Sequence, residues 1–161
     1  MEKVHIRPAI EKDCGRIAQL LHQLFEVHLQ FDPLYYQLEA DCLDKFGHWA
    51  LNQLNTFNQF ILVAVDKENK ENAIGFVSGY IKFLFPWFKT KSVGHISFLA
   101  VDQKFQKQGI GEMLEKNAYD WFREKNLKFV ELYSHDKNDI ANGFWEKRSF
   151  DPFYRFLRKN I

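Results

Sequence analysis

The stretch from Phe98 to Gly111 constrains the fold of this chain more than any other. An apolar run through Phe98, Leu99, Ala100 and Val101 reads as a strand and ends at a polar turn. Two glycines spaced one apart, Gly109 and Gly111, then open an amphipathic helix. Glycine lets a backbone approach an anion closely, and the first N–H groups of a helix have no intrahelical acceptor. Gln106, Lys107 and Gln108 add donors and a positive charge to the same turn. The order of strand, turn and helix therefore suits a phosphate group; the plainer alternative is a glycine-capped helix start. Other phosphate loops fit less well. A P-loop needs Gly-x-x-x-x-Gly-Lys-Ser/Thr, and the dinucleotide fingerprint needs a third glycine that Gly109 and Gly111 lack.

Read in order, Val4 to Pro8 is a first strand, stopped by its proline. Asp13 stands as N-cap to a helix whose stripe is Ile17, Leu20, Leu21, Leu24 and Phe25. Near its end His28 reads as a packing residue, and Asp32-Pro33 breaks the helix. A second helix spans about 37–54. Strands at 59–65 and 73–83 form a hairpin around a charged, solvated turn at 66–72. Leu84-Phe85-Pro86-Trp87-Phe88 is an apolar loop that folds back on the core, walls a pocket or meets a second copy in a homodimer. Residues 92–101 make the central strand, and a helix runs from Gly111 to about Lys125. A strand at 128–134, a short helix at 139–147 and a last strand at 153–157 follow. This order, β-α-α-β-β-β-α-β-α-β, predicts an α/β fold with a mixed, largely antiparallel sheet flanked by helices. With 161 residues and 46% hydrophobic content, the chain reads as a single domain over 1–161 with a sizeable core.

The run Gln106-Lys107-Gln108-Gly109-Ile110-Gly111 after an apolar strand resembles the acyl-CoA-binding signature of the GNAT acyltransferase superfamily, Gln/Arg-x-x-Gly-x-Gly/Ala. A second family pattern, Asn-x-x-Ala-x-x-Phe-Tyr-x-x-x-Gly-Phe, is met by Asn138, Ala141, Phe144, Trp145, Ser149 and Phe150. The two matches lie between Ser97 and Ile161; the N-terminal half agrees only in element order. The resemblance implies a GNAT fold, acetyl-CoA as co-substrate and direct attack by an amine in a ternary complex. Leu99, Ala100 and Val101 would hold the pantetheine arm through their main chain. Gln106, Lys107, Gln108, Gly109, Ile110 and Gly111 would hold the pyrophosphate, with Asn138, Phe144 and Trp145 along the other side. Two residues depart from the pattern. Ser149 replaces a usual glycine and implies some backbone strain. Trp145 replaces a tyrosine that commonly protonates the leaving thiolate, a task an indole cannot perform.

Counting by twos, His95 shares a strand face with Ser97, Leu99 and Val101, and a histidine with an ordinary pKa of about 6.5 can take a proton from an amine. It is the candidate base, against the plainer reading of a polar strand residue. Tyr133, with His135 on the same face of the next strand, is a candidate acid, and solvent is an equal one. The acceptor stays open among a polyamine, an amino acid, an aminoglycoside-like molecule and a protein amine. Glu26, Asp32 and Glu39 are the acidic residues near the expected cleft. The other class of function that fits is an acyl-CoA-binding module without catalysis.

A net charge of +1 gives no general attraction to nucleic acid or anionic membrane. No apolar run reaches the ~18 residues of a membrane span. Cys14 and Cys42 have neither disulfide-framework nor metal spacing, and the six histidines show no ligand pattern, so no metal is expected. The expected setting is cytoplasmic.

Overall fold

The computed structural model describes residues 3–68 and 72–161. Its strands are β1 (Val4–Pro8), β2 (Gln59–Asp66), β3 (Ala73–Phe83), β4 (Ser92–Val101) and β5 (Val130–Leu132). Its helices are α1 (Cys14–Phe31), α2 (Cys42–Leu54), α3 (Ile110–Glu124) and α4 (Asp139–Glu146). Short 3-10 turns at Glu11–Asp13 and Gln103–Phe105 precede α1 and α3. The strands lie in the order β1-β2-β3-β4-β5; the first three joints are antiparallel and the β4–β5 joint is parallel. The expected mixed, largely antiparallel α/β sheet is therefore present. Residues 69–71 of the expected β2–β3 turn lie outside the described residues.

Alternation along the strands separates two apolar layers. Ile61, Val63, Val65 and Phe76 face Ile17, Leu20 and Leu21 of α1 and Ala50 of α2. Phe60, Leu62, Ala64, Val77 and Ile96 face Ile110, Leu114, Ala118 and Phe122 of α3. Each layer removes large side chains from water at roughly 1.5–3 kcal/mol apiece.

The last expected strand is absent. Residues 147–161 contain no strand, and Phe153, Tyr154, Phe156 and Leu157 are exposed. Strand propensity reflects the fit of a side chain to a half-buried sheet surface, and here the segment pairs with no strand of the sheet. Asp13 also departs from its expected role. Its carboxylate accepts the Ile10 N–H at 2.9 Å and binds Arg7 at 2.7 and 3.1 Å, so it closes the turn before α1 and makes no side-chain cap on the helix.

Strand β4 contains the irregularity that matters most. Ser78 pairs with Phe98 but Gly79 pairs with Ile96, so Ser97 is an extra residue, a β-bulge. A one-residue insertion reverses the faces of everything beyond it. Leu99 and Val101 consequently share the α3 layer with Ile96, whereas Phe98 and Ala100 face α1 and α2. This corrects the count by twos: His95 lies on the α1/α2 side, opposite the side chains of Leu99 and Val101.

Gly79 makes the bulge possible, since a Cβ there would stand 2.6 Å from the His95 carbonyl oxygen and 2.7 Å from the Phe60 ring. Gly79→Ala is expected to cost about 3 kcal/mol through overpacking. Urea denaturation checks this, and an unchanged midpoint would show that the crossing can relax freely.

Candidate functional site

Strands β4 and β5 pair only from Gly94↔Val130 to Ile96↔Leu132. Past that point the bulge turns β4 and the chain leaves β5, so the sheet opens into a gap. The Asp102 N–H donates to the Ile74 carbonyl at 2.8 Å. In an antiparallel ladder, backbone groups alternate in direction along the strand. The N–H and C=O of Leu99 and Val101 therefore face away from β3, into the gap. On one flank of the gap stands the Gln106–Gly111 turn, and on the other α4.

The turn is wound for an anion. Gly109 has φ +79° and a Cβ there would meet no heavy atom within 4 Å. Lys107 also takes a left-handed conformation, φ +60°. The Met113 N–H to Gly109 C=O bond, 3.1 Å, is the first rung of α3, so the N–H groups of Ile110, Gly111 and Glu112 lie ahead of the ladder. Gly109 supplies no side chain to cap them. These groups and the positive end of the helix dipole fit a pyrophosphate. The two glutamines act differently from expectation. Gln106 donates to the Val101 carbonyl at 3.1 Å and Gln108 to the Lys104 carbonyl at 3.4 Å, so both close the loop on itself.

The α4 flank is packed against this turn. The Phe144 ring lies 3.3 Å from where a Gly111 Cβ would be. Trp145 stacks edge-on with Phe144 and Phe150, at 4.8 and 5.2 Å between ring centroids, and joins the α3 layer. Asn138 caps α4 by accepting the Ala141 N–H at 3.1 Å. Ser149, at the family's glycine position, has φ +63°, so the expected backbone strain is present. Arg148 stacks on Phe144 at 3.6 Å and binds the buried Glu115 carboxylate, which also accepts the Tyr119 hydroxyl. Burial and the Glu115 contact push the Tyr119 hydroxyl well above its ordinary pKa. Nothing in the motifs pointed to Glu115, Tyr119 or Arg148; a carboxylate within the apolar stripe of α3 was the available signal.

On the α1/α2 side, His95 is 5% exposed and its Nδ1 is buried without a hydrogen-bond partner. Tyr80 packs on its ring at 4.9 Å and Tyr133 at 5.0 Å. Tyr133 is the first residue past the last β5 pair and stands at the apex of the gap, 74% exposed. Burial pulls the imidazole of His95 below its ordinary pKa; the Lys82 ammonium adds to this and Glu131 opposes it. The Lys82–Glu131 ion pair, 2.7 Å, lies beside it. At neutral pH the ring is therefore uncharged.

Other expectations on this side divide. His28 is satisfied as a packing residue, its Nδ1 2.9 Å from the Leu24 carbonyl. His135 stacks on Phe31 at 5.1 Å, on the same side as Tyr133. The loop at Phe85, Trp87 and Phe88 does not fold back on the core: Phe85 and Trp87 stack on each other at 4.7 Å and both stay exposed. Among the described residues no group of three His, Cys, Asp or Glu could hold a metal ion, and no helix is long and apolar enough to cross a membrane.

Gly109→Asp places a carboxylate and a strained backbone at the head of α3. It is expected to weaken acetyl-CoA binding at least tenfold by calorimetric titration while leaving the circular dichroism spectrum intact. Unchanged affinity would remove this turn as the anion site.

Comparison with known proteins agrees with this geometry. Residues 18–150 match the model of the acetyltransferase (GNAT) family. A variant of the BH1408 protein from Bacillus halodurans superposes with a TM-score of 0.84 at 20% identity, covering 98% of this chain and 99% of that one. The aminoglycoside N-acetyltransferase AAC(6')-Iy, in complex with CoA, gives 0.77 at 15% identity, covering 98% and 94%. The aminoglycoside 6'-N-acetyltransferase AAC(6')-IG from Acinetobacter haemolyticus gives 0.73 at 18% identity, covering 98% and 99%. No curated protein sequence matches. The family match over most of the chain, on a sheet that opens beside a glycine-headed helix, identifies this protein as a GNAT acetyltransferase, an acyltransferase by family.

Proposed function

We propose that the protein transfers an acetyl group from acetyl-CoA to a primary amine, in one ternary complex. The observation that carries this reading is the gap between β4 and β5, edged by the backbone of Leu99 and Val101 facing away from β3 and headed by the bare start of α3. The CoA complex of AAC(6')-Iy, a protein of the same fold, supports the cofactor. Both cysteines are free and buried, which suits a reducing, cytoplasmic setting.

Bound in the gap, acetyl-CoA supplies an activated acetyl thioester. The N–H groups of Ile110, Gly111 and Glu112 hold the pyrophosphate, with Gly109 leaving room for it and Lys107 adding charge. The main chain of Leu99 and Val101 holds the pantetheine arm as an added strand would be held. Ala100 turns its side chain away into the α1/α2 layer, while Phe144 and Trp145 wall the α4 flank and Asn138 fixes the start of that helix. A main-chain N–H at the end of β4 steadies the negative charge that develops on the carbonyl oxygen.

His95 takes the proton from the incoming ammonium, directly or through a water, and it is available because burial keeps the ring neutral. The bulge at Ser97 sets this base on the α1/α2 side while the backbone donors lie in the sheet plane. The amine then approaches the carbonyl from one face as the thiolate leaves along the gap. A thiol of ordinary pKa about 8.5 needs little help, and solvent or the exposed Tyr133 hydroxyl returns the proton.

Thiol release from acetyl-CoA in the presence of primary amines tests the activity. Acetyl-CoA bound without any release would instead mark a binding module. The acid limb of kcat/KM is expected below about pH 6.5, because protonating His95 removes the base and its folded-state pKa is lowered. His95→Gln should abolish that limb and reduce kcat about 100-fold with acetyl-CoA affinity kept. An unaltered profile would remove His95 as the base.

A further inference from the structure

The α1/α2 side of the gap carries a second pattern, formed by rings and charges that the transfer chemistry does not use. His28, Phe31, Tyr36 and His135 close a square in which each ring touches two others. The centroid separations are 5.7 Å for His28–Phe31, 5.1 Å for Phe31–His135, 6.0 Å for Tyr36–His135 and 5.1 Å for His28–Tyr36. All four residues are half-buried. His135 follows Tyr133 by two residues, which joins the square to the His95–Tyr133 pair at the apex of the gap.

Two carboxylates beside these rings are already paired with cations. Asp32 binds Arg158 and accepts the N–H groups of Leu34 and Tyr35, at 3.2 and 3.0 Å. Glu131 is held by Lys82. Arg158 stands over the Tyr35 ring at 5.0 Å, and Lys137 donates to the Phe31 carbonyl at 3.3 Å. Asp32 and Glu131 are thus each paired with a cation, Arg158 and Lys82, and Lys137 adds a positive charge to the same surface. A single ammonium is served by the neutral His95, and an aromatic body is served by a cluster of half-buried rings.

Building on the proposed N-acetyl transfer, we propose that the acceptor is a primary monoamine with an aromatic body, and that polycationic amines are disfavoured. The rings hold the body, the amine reaches towards His95, and further ammonium groups would find Asp32 and Glu131 already paired, with the Lys137 charge beside them. The aminoglycoside enzymes of the same fold would then share its cofactor half and differ in acceptor.

The test is thiol release by the full chain at saturating acetyl-CoA with 2-phenylethylamine, spermidine and kanamycin. The expected result is a kcat/KM for 2-phenylethylamine at least tenfold above that for either polycation. Equal or better turnover of spermidine or kanamycin overturns this inference and leaves the proposed N-acetyl transfer standing. No release with any amine overturns both. Two variants separate the rings from the charges. Tyr36→Ala should raise KM for 2-phenylethylamine about tenfold with kcat and the KM for acetyl-CoA little changed. Arg158→Gln, which frees Asp32, should lower KM for spermidine several-fold. Failure of Tyr36→Ala to move the amine KM, or of Arg158→Gln to improve spermidine, overturns the corresponding half of the argument.

Discussion

The architecture of the site depends on β4 parting from β5. A parallel pair that continued to Val101 would use the backbone groups of Leu99 and Val101 in a ladder, and no edge would remain for an extended ligand. The pairing stops after Ile96↔Leu132, where the extra residue Ser97 turns the strand. The same insertion sends the His95 side chain to one side of the sheet and those of Leu99 and Val101 to the other. One local irregularity thus makes the opening and distributes the chemistry around it.

Polar contacts brace both sides of the opening. Arg16 of α1 binds Asp102, just past β4, and its Nε donates to the Ala73 carbonyl at 2.9 Å. Burial alone would raise the Asp102 carboxyl, but the Lys104 N–H and Arg16 outweigh it and hold the group below its ordinary pKa. Across the gap, Arg148 spans Glu115 of α3 and the ring of Phe144 in α4. Both contacts draw on buried carboxylates, and removing one partner of such a pair is costly because the other is left uncompensated. They fix where the helices stand relative to the strand ends, and therefore the width of the opening.

Much of this was legible in the sequence. The strand, turn and helix from Phe98 to Gly111 are local in sequence, and local pattern is what periodicity and glycine spacing report. The mixed, largely antiparallel sheet followed from the succession of elements. The side of His95 was not legible, because strand alternation assumes an unbroken ladder and nothing about Ser97 marks it as the extra residue. The tail at 153–157 misled for a related reason: Phe153, Phe156 and Leu157 have strand character, but a strand also requires a neighbouring edge. Gln106 and Gln108 look like ligand donors in the motif, yet in the fold they donate to the carbonyls of Val101, at the end of β4, and Lys104. The Glu115–Arg148 contact joins residues 33 apart and had no local signature.

The two halves of the site also differ in how far along the chain their parts are drawn from. The end of β4, the glycine turn and the start of α3 are consecutive, so little loop entropy is spent in bringing them together. The aromatic side is completed by Asp32 and Arg158, which are separated by 126 residues. During synthesis the glycine turn has its local partners almost as soon as it emerges, whereas Asp32 must wait for nearly the whole intervening chain. The order of assembly is therefore written into the connectivity: the glycine turn forms from neighbours, and the ion pair beside the aromatic rings closes late.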